Sequence, residues 1–446
     1  MCHIGKMAVS LRNNTAHFFT KEVRNAAEET SPCHKKRKVK MMTFKVIEGG
    51  GITTPQGFKA GVAHAGIKYQ GRYDLALVFS ECSAVGAGVF TTNKFQAAPV
   101  LVSRQHLAAQ EKLRGFVVNS GCANACTGDE GLADARMMAQ VAAEVTGCRV
   151  EEFLVASTGV IGVPLPMEKV RQGIIEAGKN LSVEAGALAA QAIMTTDTVP
   201  KEIGIEVEID GKRVILGAMA KGSGMIHPNM ATMLGFVTTD AAISKECLQK
   251  ALVIANKDSF NMVTVDGDTS TNDTLAVLAN GLAGNSLIDN PESEEFQLFT
   301  AALQQVCVYM ARMIARDGEG ATRLLEVKVV NSPSQEDARI AARTIAGSNL
   351  VKAAIFGQDA NWGRIICALG YSGAEFAPEE VDVYLGELLV AEKGRGLAFD
   401  ETVARRILEQ DEVVVTVDLH AGEYAATAWG CDLSYDYVKI NADYRT

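Results

Sequence analysis

The stretch Gly204–Asp240, GIEVEIDGKRVILGAMAKGSGMIHPNMATMLGFVTTD, decides how the chain is read. Apolar and polar residues alternate on both sides of Asp210-Gly211. That dipeptide tolerates two positive φ angles, so the pattern predicts a β-hairpin closed by a two-residue turn. At the other end, TMLGFVTTD (Thr232–Asp240) predicts a buried strand. Between them, KGSGMIHPNMA (Lys221–Ala231) suits neither helix nor strand. Gly222 and Gly224 permit unusual dihedrals, and Pro228 lacks a backbone donor. The run ends on a small residue, Ala231, followed by the hydroxyl of Thr232.

Outward from this segment, strand and helix patterns alternate. RGFVVNSG (114–121) predicts a strand after the helix-like SRQHLAAQEKL (103–113). ADARMMAQVAAEVTG (133–147) has the apolar stripe of a helix, and EFLVASTG (152–159) is a strand running into a glycine turn. MEKVRQGIIEAGKNL (167–181), VEAGALAAQAIM (183–194) and SKECLQKALVIANKDSF (244–260) are helical. The acidic, Pro-containing GNSLIDNPESEEF (284–296) is the best internal boundary. A long helix (about 296–316), the strand LLEVKVV (324–330), the helix SQEDARIAARTIA (334–346) and several more strands follow. The expected class is α/β (α+β), a two-lobed layered α/β sandwich with its C-terminal lobe starting near residue 292.

The totals agree with a folded enzyme-sized chain. At about 100–200 residues per domain, 446 residues imply two or three lobes. The composition is 48% hydrophobic and 22% charged, too rich in core formers for disorder. No uninterrupted apolar run approaches the ~20 residues of a membrane span. The formal net charge of -10 argues against nucleic-acid binding. Residues 1–41 depart from this balance, with nine Lys/Arg against three Glu. They read as a basic, disordered extension without a signal-peptide core, and Glu22, Glu28 and Glu29 count against a transit peptide. Ten cysteines without a repeated C-x-x-C suggest free thiols in a reducing, cytoplasmic setting. Cys122 and Cys126 are the one close pair, read as small buried thiols rather than metal ligands.

Few chemical motifs compete. GSG, GGG and DGDTSTNDT lack the spacing of a phosphate loop and read as tight turns. Beyond residue 41 only His64, His106, His227 and His420 remain, and no nucleophile elbow or zinc-protease motif occurs. Thr232 offers chemistry that needs no histidine. If the chain is cut before it, its own α-amine, with a reference pKa of about 7.7–8.0, becomes the base for its hydroxyl. The cut itself can be intramolecular, by Thr232 Oγ1 attack on the carbonyl of Ala231.

KGSGMIHPNMATML resembles the self-cleavage signature of the ornithine acetyltransferase (glutamate N-acetyltransferase) family of arginine biosynthesis. NSGCANACTG (119–128), VASTGVIG (155–162), MTTDT (194–198), VTVDGDTSTNDT (263–274), ARDGEGATR (315–323), FGQDANWGRI (356–365) and YDYVKINADYRT (435–446) also resemble family blocks, in order. They cover residues 42–446, and only Cys122, where an Asn is expected, departs.

The resemblance implies a cut between Ala231 and Thr232, giving an α chain (42–231) and a β chain (232–446) that stay together as an α2β2 heterotetramer. It implies Thr232 as nucleophile, taking the acetyl group of N2-acetyl-L-ornithine and passing it to L-glutamate by a ping-pong route. Thr158 and Gly159 match the oxyanion donors. Thr158, Lys221, Thr232, Glu319, Asn441 and Thr446 match substrate-binding positions, with Lys221 suited to the α-carboxylate and Glu319 to the side-chain ammonium. No metal and no cofactor are implied; acetyl-CoA as a second acyl donor is left open, as are N-acetylglutamate synthesis from it and the organism. The partners implied are small molecules, with no nucleic acid and no membrane. Two alternatives stand: a self-processing N-terminal-nucleophile amidase or aminopeptidase, with water as acceptor, and a non-enzymatic binder prompted by KKRKVK (35–40).

Overall fold

The fold is described by a computed structural model covering residues 44–227 and 233–443. Two sheets and the helices that cover them form a mixed α/β architecture. The first sheet holds β1 (Lys45–Ile47), β2 (Phe58–Ala63), β3 (Leu75–Phe90), β4 (Lys112–Cys122), β5 (Phe153–Val160), β6 (Lys201–Ile209), β7 (Lys212–Lys221), β8 (Leu234–Thr239) and β9 (Thr274–Ala279). Its order is β1-β6-β7-β8-β9-β3-β4-β5, with β2 pairing β3. The second holds β10 (Leu324–Ser332), β11 (Asp382–Leu385), β12 (Leu388–Glu392), β13 (Arg395–Gly396), β14 (Glu412–Asp418) and β15 (Tyr424–Cys431), ordered β13-β12-β11-β14-β10-β15.

The expected hairpin is β6–β7, in antiparallel register from Lys201↔Ala220 to Ile209↔Lys212. Asp210 (φ 52) and Gly211 (φ 68) both lie in the left-handed region, as its two-residue turn demands. The next strand runs from Leu234, with Met233 outside it; the expected first residue, Thr232, lies outside the described residues. Lys221 and Leu234 are register partners, so the glycine-rich run is the connection between two neighbouring strands at the centre of the sheet.

Both faces of that sheet centre are buried, and side-chain alternation divides them. Met219, Leu234, Phe236, Ala276 and Leu278 join a core with Ile52, Phe58 and the helix Gly186–Ala192. Ala218, Val237, Leu275, Val277 and Ala279 face the opposite way, into a core shared with the helices Lys245–Lys257 and Glu294–Arg316. That second core continues without a break through Val327, Val415 and Ala428 of the other sheet. The lobes therefore meet across Glu294–Arg316. This helix is long and apolar enough to cross a membrane by length and composition, yet 56% of its most apolar window is buried inside the fold.

Local chemistry explains the helix starts. Ser244, Ser293, Ser334 and Ser348 each accept a hydrogen bond from a backbone N–H three residues on. Some expected bounds shift. The helix read at 103–113 runs Ala98–Ala109, because Pro99 suits a helical first turn and Lys112 already belongs to β4. The helix read at 183–194 shortens to Gly186–Ala192. The C-terminal part also holds helices not expected there, Asn349–Phe356, Trp362–Gly370, Glu401–Leu408 and Tyr435–Asp443. Of the cysteine pair, Cys122 is buried but Cys126 is exposed, a correction for the latter.

Candidate active site

A cavity of about 110 Å³ opens where β5, β7, β8 and the C-terminal helix converge. Thr158, Gly159, Lys221, Glu319 and Asn441, from four separate segments, all line it. Met225 and Ile226 of the glycine-rich run, and Met233 just before β8, line it too. Ala231, Thr232 and Thr446, also expected at the site, lie outside the described residues.

Thr158 and Gly159 come from the end of β5, beside β4. Gly121 pairs with Gly159, and a Cβ on Gly159 would sit 2.3 Å from the Gly121 carbonyl carbon. With φ at 134°, only glycine fits there without strain. Lys221 Nζ donates to Thr158 Oγ1 at 3.3 Å. The threonine hydroxyl is thereby used as an acceptor, leaving its own hydrogen to donate into the cavity. Asn272 fixes this corner. Its Nδ2 donates to the Ala123 carbonyl (2.6 Å) and the Ser157 carbonyl (2.8 Å).

Lys221 is buried, and its ammonium also donates to Thr195 Oγ1 at 2.7 Å. Burial pulls its pKa down, and nearby Lys201 adds to that; Asp197, Glu319 and Asp273 work in the other direction. Asp197 lies 3.8 Å from Lys221 Nζ and 2.7 Å from Lys201 Nζ, and Lys201 in turn reaches Asp317 at 2.6 Å. Burial would raise the Asp197 carboxyl, but the two ammonium groups outweigh it and hold the group well below the usual carboxylate range.

Glu319 occupies the turn after the helix Glu294–Arg316. Its N–H donates to the Ser223 carbonyl (2.9 Å), and its carboxylate presses against Gly224, where any Cβ would lie 2.3 Å from Oε2. Asn441 Nδ2, on the helix Tyr435–Asp443, donates to Glu319 Oε2 at 2.9 Å. That helix comes close because Gly320 has no Cβ; one would lie 2.5 Å from Tyr437 N.

The glycine-rich run is clamped at Met225 and Ile226. Both Asp266 carboxylate oxygens accept from it, from Met225 N–H (2.6 Å) and Ile226 N–H (2.8 Å). Met225 takes φ 57, uncommon for an unbranched apolar residue. Thr269 Oγ1 donates to the His227 carbonyl at 2.8 Å. DGDTSTNDT, read as tight turns, does turn at Gly267 (φ 84) and also forms one wall of the cavity.

His227 Nδ1 lies 2.9 Å from Thr264 Oγ1, and burial together with Arg343 lowers its pKa to about 4. A base that weak contributes little at neutral pH. His227→Ala is therefore expected to be cut to completion, as read on a denaturing gel. The unfolded-state pKa is about 6.5, so the unfolded chain takes this proton first and stability falls as pH drops from about 6.5 to about 4. His227→Gln should flatten the thermal unfolding midpoint across that window.

Thr195, Asp197, Lys201, Asn272 and Asp317 were not singled out from the sequence. MTTDT, VTVDGDTSTNDT and ARDGEGATR contain four of them, but only the fold brings those blocks together.

A buried ammonium, a strand-end hydroxyl beside a glycine N–H, and a carboxylate held by an amide, all around one small space, define an acyl-transfer enzyme on an α/β scaffold. The comparisons with known proteins agree. A model of the ArgJ family matches residues 59–446. The arginine biosynthesis bifunctional protein ArgJ of Symbiobacterium thermophilum is 58% identical over 399 residues, covering 89% of this chain and 99% of its own. That of Caldanaerobacter subterraneus subsp. tengcongensis is 53% identical, covering 90% and 100%. The Mycobacterium tuberculosis ornithine acetyltransferase, solved with ornithine, is 40% identical over 43% of this chain and 100% of its own, with a TM-score of 0.39. The chain belongs to the ArgJ family and is an enzyme of arginine biosynthesis.

Proposed function

We propose that the chain transfers the acetyl group of N2-acetyl-L-ornithine to L-glutamate, with Thr232 as nucleophile once the Ala231–Thr232 bond has been cut. The α-amine of Thr232 takes the proton from Oγ1, which attacks the acetyl carbonyl. The developing oxyanion accepts from Thr158 Oγ1–H and Gly159 N–H. The C–N bond breaks, ornithine leaves with the proton, and an acetyl-Thr232 ester remains. The glutamate amine attacks that ester, releasing N-acetylglutamate and restoring the threonine. Lys221 receives the α-carboxylate of either amino acid, and Glu319 with Asn441 receives the ornithine ammonium. Thr446 is assigned to the same pocket. The reaction as written needs no metal and no cofactor.

The observation that supports this most is the convergence of Thr158, Gly159, Lys221, Glu319 and Asn441 on one cavity beside Met233, the residue after Thr232. Eight free cysteines among the described residues fit a cytoplasmic setting. We assign the working assembly as two copies of each cut chain.

The test is incubation of the purified protein with N-acetylornithine, with and without glutamate. Ornithine release beyond one equivalent per enzyme is expected to require glutamate, with N-acetylglutamate formed one for one in that turnover. Equal release without glutamate would mean that water is the acceptor and would overturn the transfer.

A further inference from the structure

Asp197 touches no part of the proposed substrate space directly, yet four groups at the site meet on it. Its Oδ1 accepts from Gly222 N–H (2.7 Å) and from Lys201 Nζ (2.7 Å). Its Oδ2 accepts from Thr195 N–H (3.0 Å) and faces Lys221 Nζ at 3.8 Å. Thr195, so fixed, accepts at Oγ1 from the same Lys221 ammonium. Beyond Asp197 the charges alternate, Lys201 and then Asp317, with Lys201 and Asp197 side chains wholly shielded from solvent. Asp317 also accepts from the Thr198 N–H at 3.0 Å, and its carbonyl accepts from Ser223 Oγ at 2.7 Å. The chain of ions thus joins the Thr195–Thr198 segment, the end of β7 and the turn that carries Glu319.

We propose that Asp197 is a positioning residue for acetyl transfer, acting through Lys221: it orients the ammonium toward the cavity and keeps it charged, while Lys201 and Asp317 hold Asp197 in place. The proposal rests on the acetyl-transfer reading for the role of Lys221. Two buried cations and two buried anions balance in the cluster, which is the condition under which such charges are tolerated. The charged groups facing Lys221 are Asp197, Lys201, Glu319 and Asp273. Of these only Asp197 and Lys201 belong to the ion chain, and they push the ammonium in opposite directions. An opposite charge at this range shifts a pKa by about 1–3 units.

The experiment is the pH profile of kcat/KM for N-acetylornithine in three variants. Asp197→Asn keeps an acceptor for Gly222 N–H but drops the charge. Its alkaline limb is expected to move down by about one unit or more, with KM rising more than kcat falls. Lys201→Met removes the like charge and should move the limb the other way. In a Lys221→Met background, Asp197→Asn should leave the limb where Lys221→Met alone puts it. Should Asp197→Asn not fold, Asp197→Asn/Lys201→Met keeps the remaining buried charges balanced and is expected to show a smaller downward shift, since the lost anion outweighs the lost cation. An unmoved limb in the folded variants, or a shift that persists without Lys221, would overturn the proposal. A second readout does not depend on the reaction. The pH dependence of Lys221 acetylation by acetic anhydride, followed by mass spectrometry, should move down in Asp197→Asn, or in the double variant where that is the one that folds. If wild-type protein transfers no acetyl group, the functional reading fails while this labelling still tests Asp197.

Discussion

Thr232→Ala is expected to run as one uncut band on a denaturing gel and to transfer no acetyl group. Wild-type protein should give two bands of similar size, since the cut falls near the middle of the chain. Removing an acyl-accepting nucleophile costs on the order of 10⁶-fold in kcat where the rest of the site remains. Two losses coincide here, because one hydroxyl would serve both the cut and the transfer. Thr232→Ser separates them from misfolding. It keeps a hydroxyl, and should be cut and retain turnover. An active Thr232→Ala protein would overturn the mechanism.

Glu319→Gln should damage one half of the reaction and spare the other. The two amino acids share an α-carboxylate but carry opposite charges at the far end of the side chain. A carboxylate held by Asn441 Nδ2, on a residue whose backbone N–H donates to the Ser223 carbonyl, suits the ornithine ammonium. A hydrogen bond between charged partners contributes about 1.5–3 kcal/mol, so kcat/KM for N-acetylornithine should fall by about 10- to 150-fold. The glutamate side chain gains nothing from Glu319, and loss of a like charge should leave its half-reaction unchanged or faster. Ornithine release in a single turnover and glutamate-dependent deacetylation measure the halves apart. Equal losses in both would remove Glu319 from the ornithine end of the pocket.

The sequence carried the site unevenly. The β6–β7 hairpin was legible because Asp210-Gly211 admits one turn geometry. Thr158-Gly159 was legible as a strand end, and the structure adds why glycine is required, through the contact with Gly121. The strand β3 gives no such signal. LALVFSECSAVGAGVF is buried on both faces along much of its length, which erases the two-residue alternation. Its Gly86 and Gly88, which suggest a break in sequence, are there because Leu107 and Leu113 pack against the backbone. The ion chain was equally silent. Lys201 and Asp317 are 116 positions apart, and each alone reads as a solvated charge until the fold buries both. His227 drew attention as a rare histidine in a loop, but its partner Thr264 and its low pKa give it a structural part.

The link between β7 and β8 has a thermodynamic consequence. Lys221 and Leu234 are register partners in mid-sheet, so severing the link between them leaves the pairing of β7 with β8 in place. It does change the molecularity of unfolding. The uncut chain unfolds as one molecule, whereas the cut protein must also separate into two polypeptides. Its melting midpoint should therefore rise with protein concentration, and that of Thr232→Ala should rise less or not at all. Renatured cut protein would have to find its other half again, so recovery should fall on dilution.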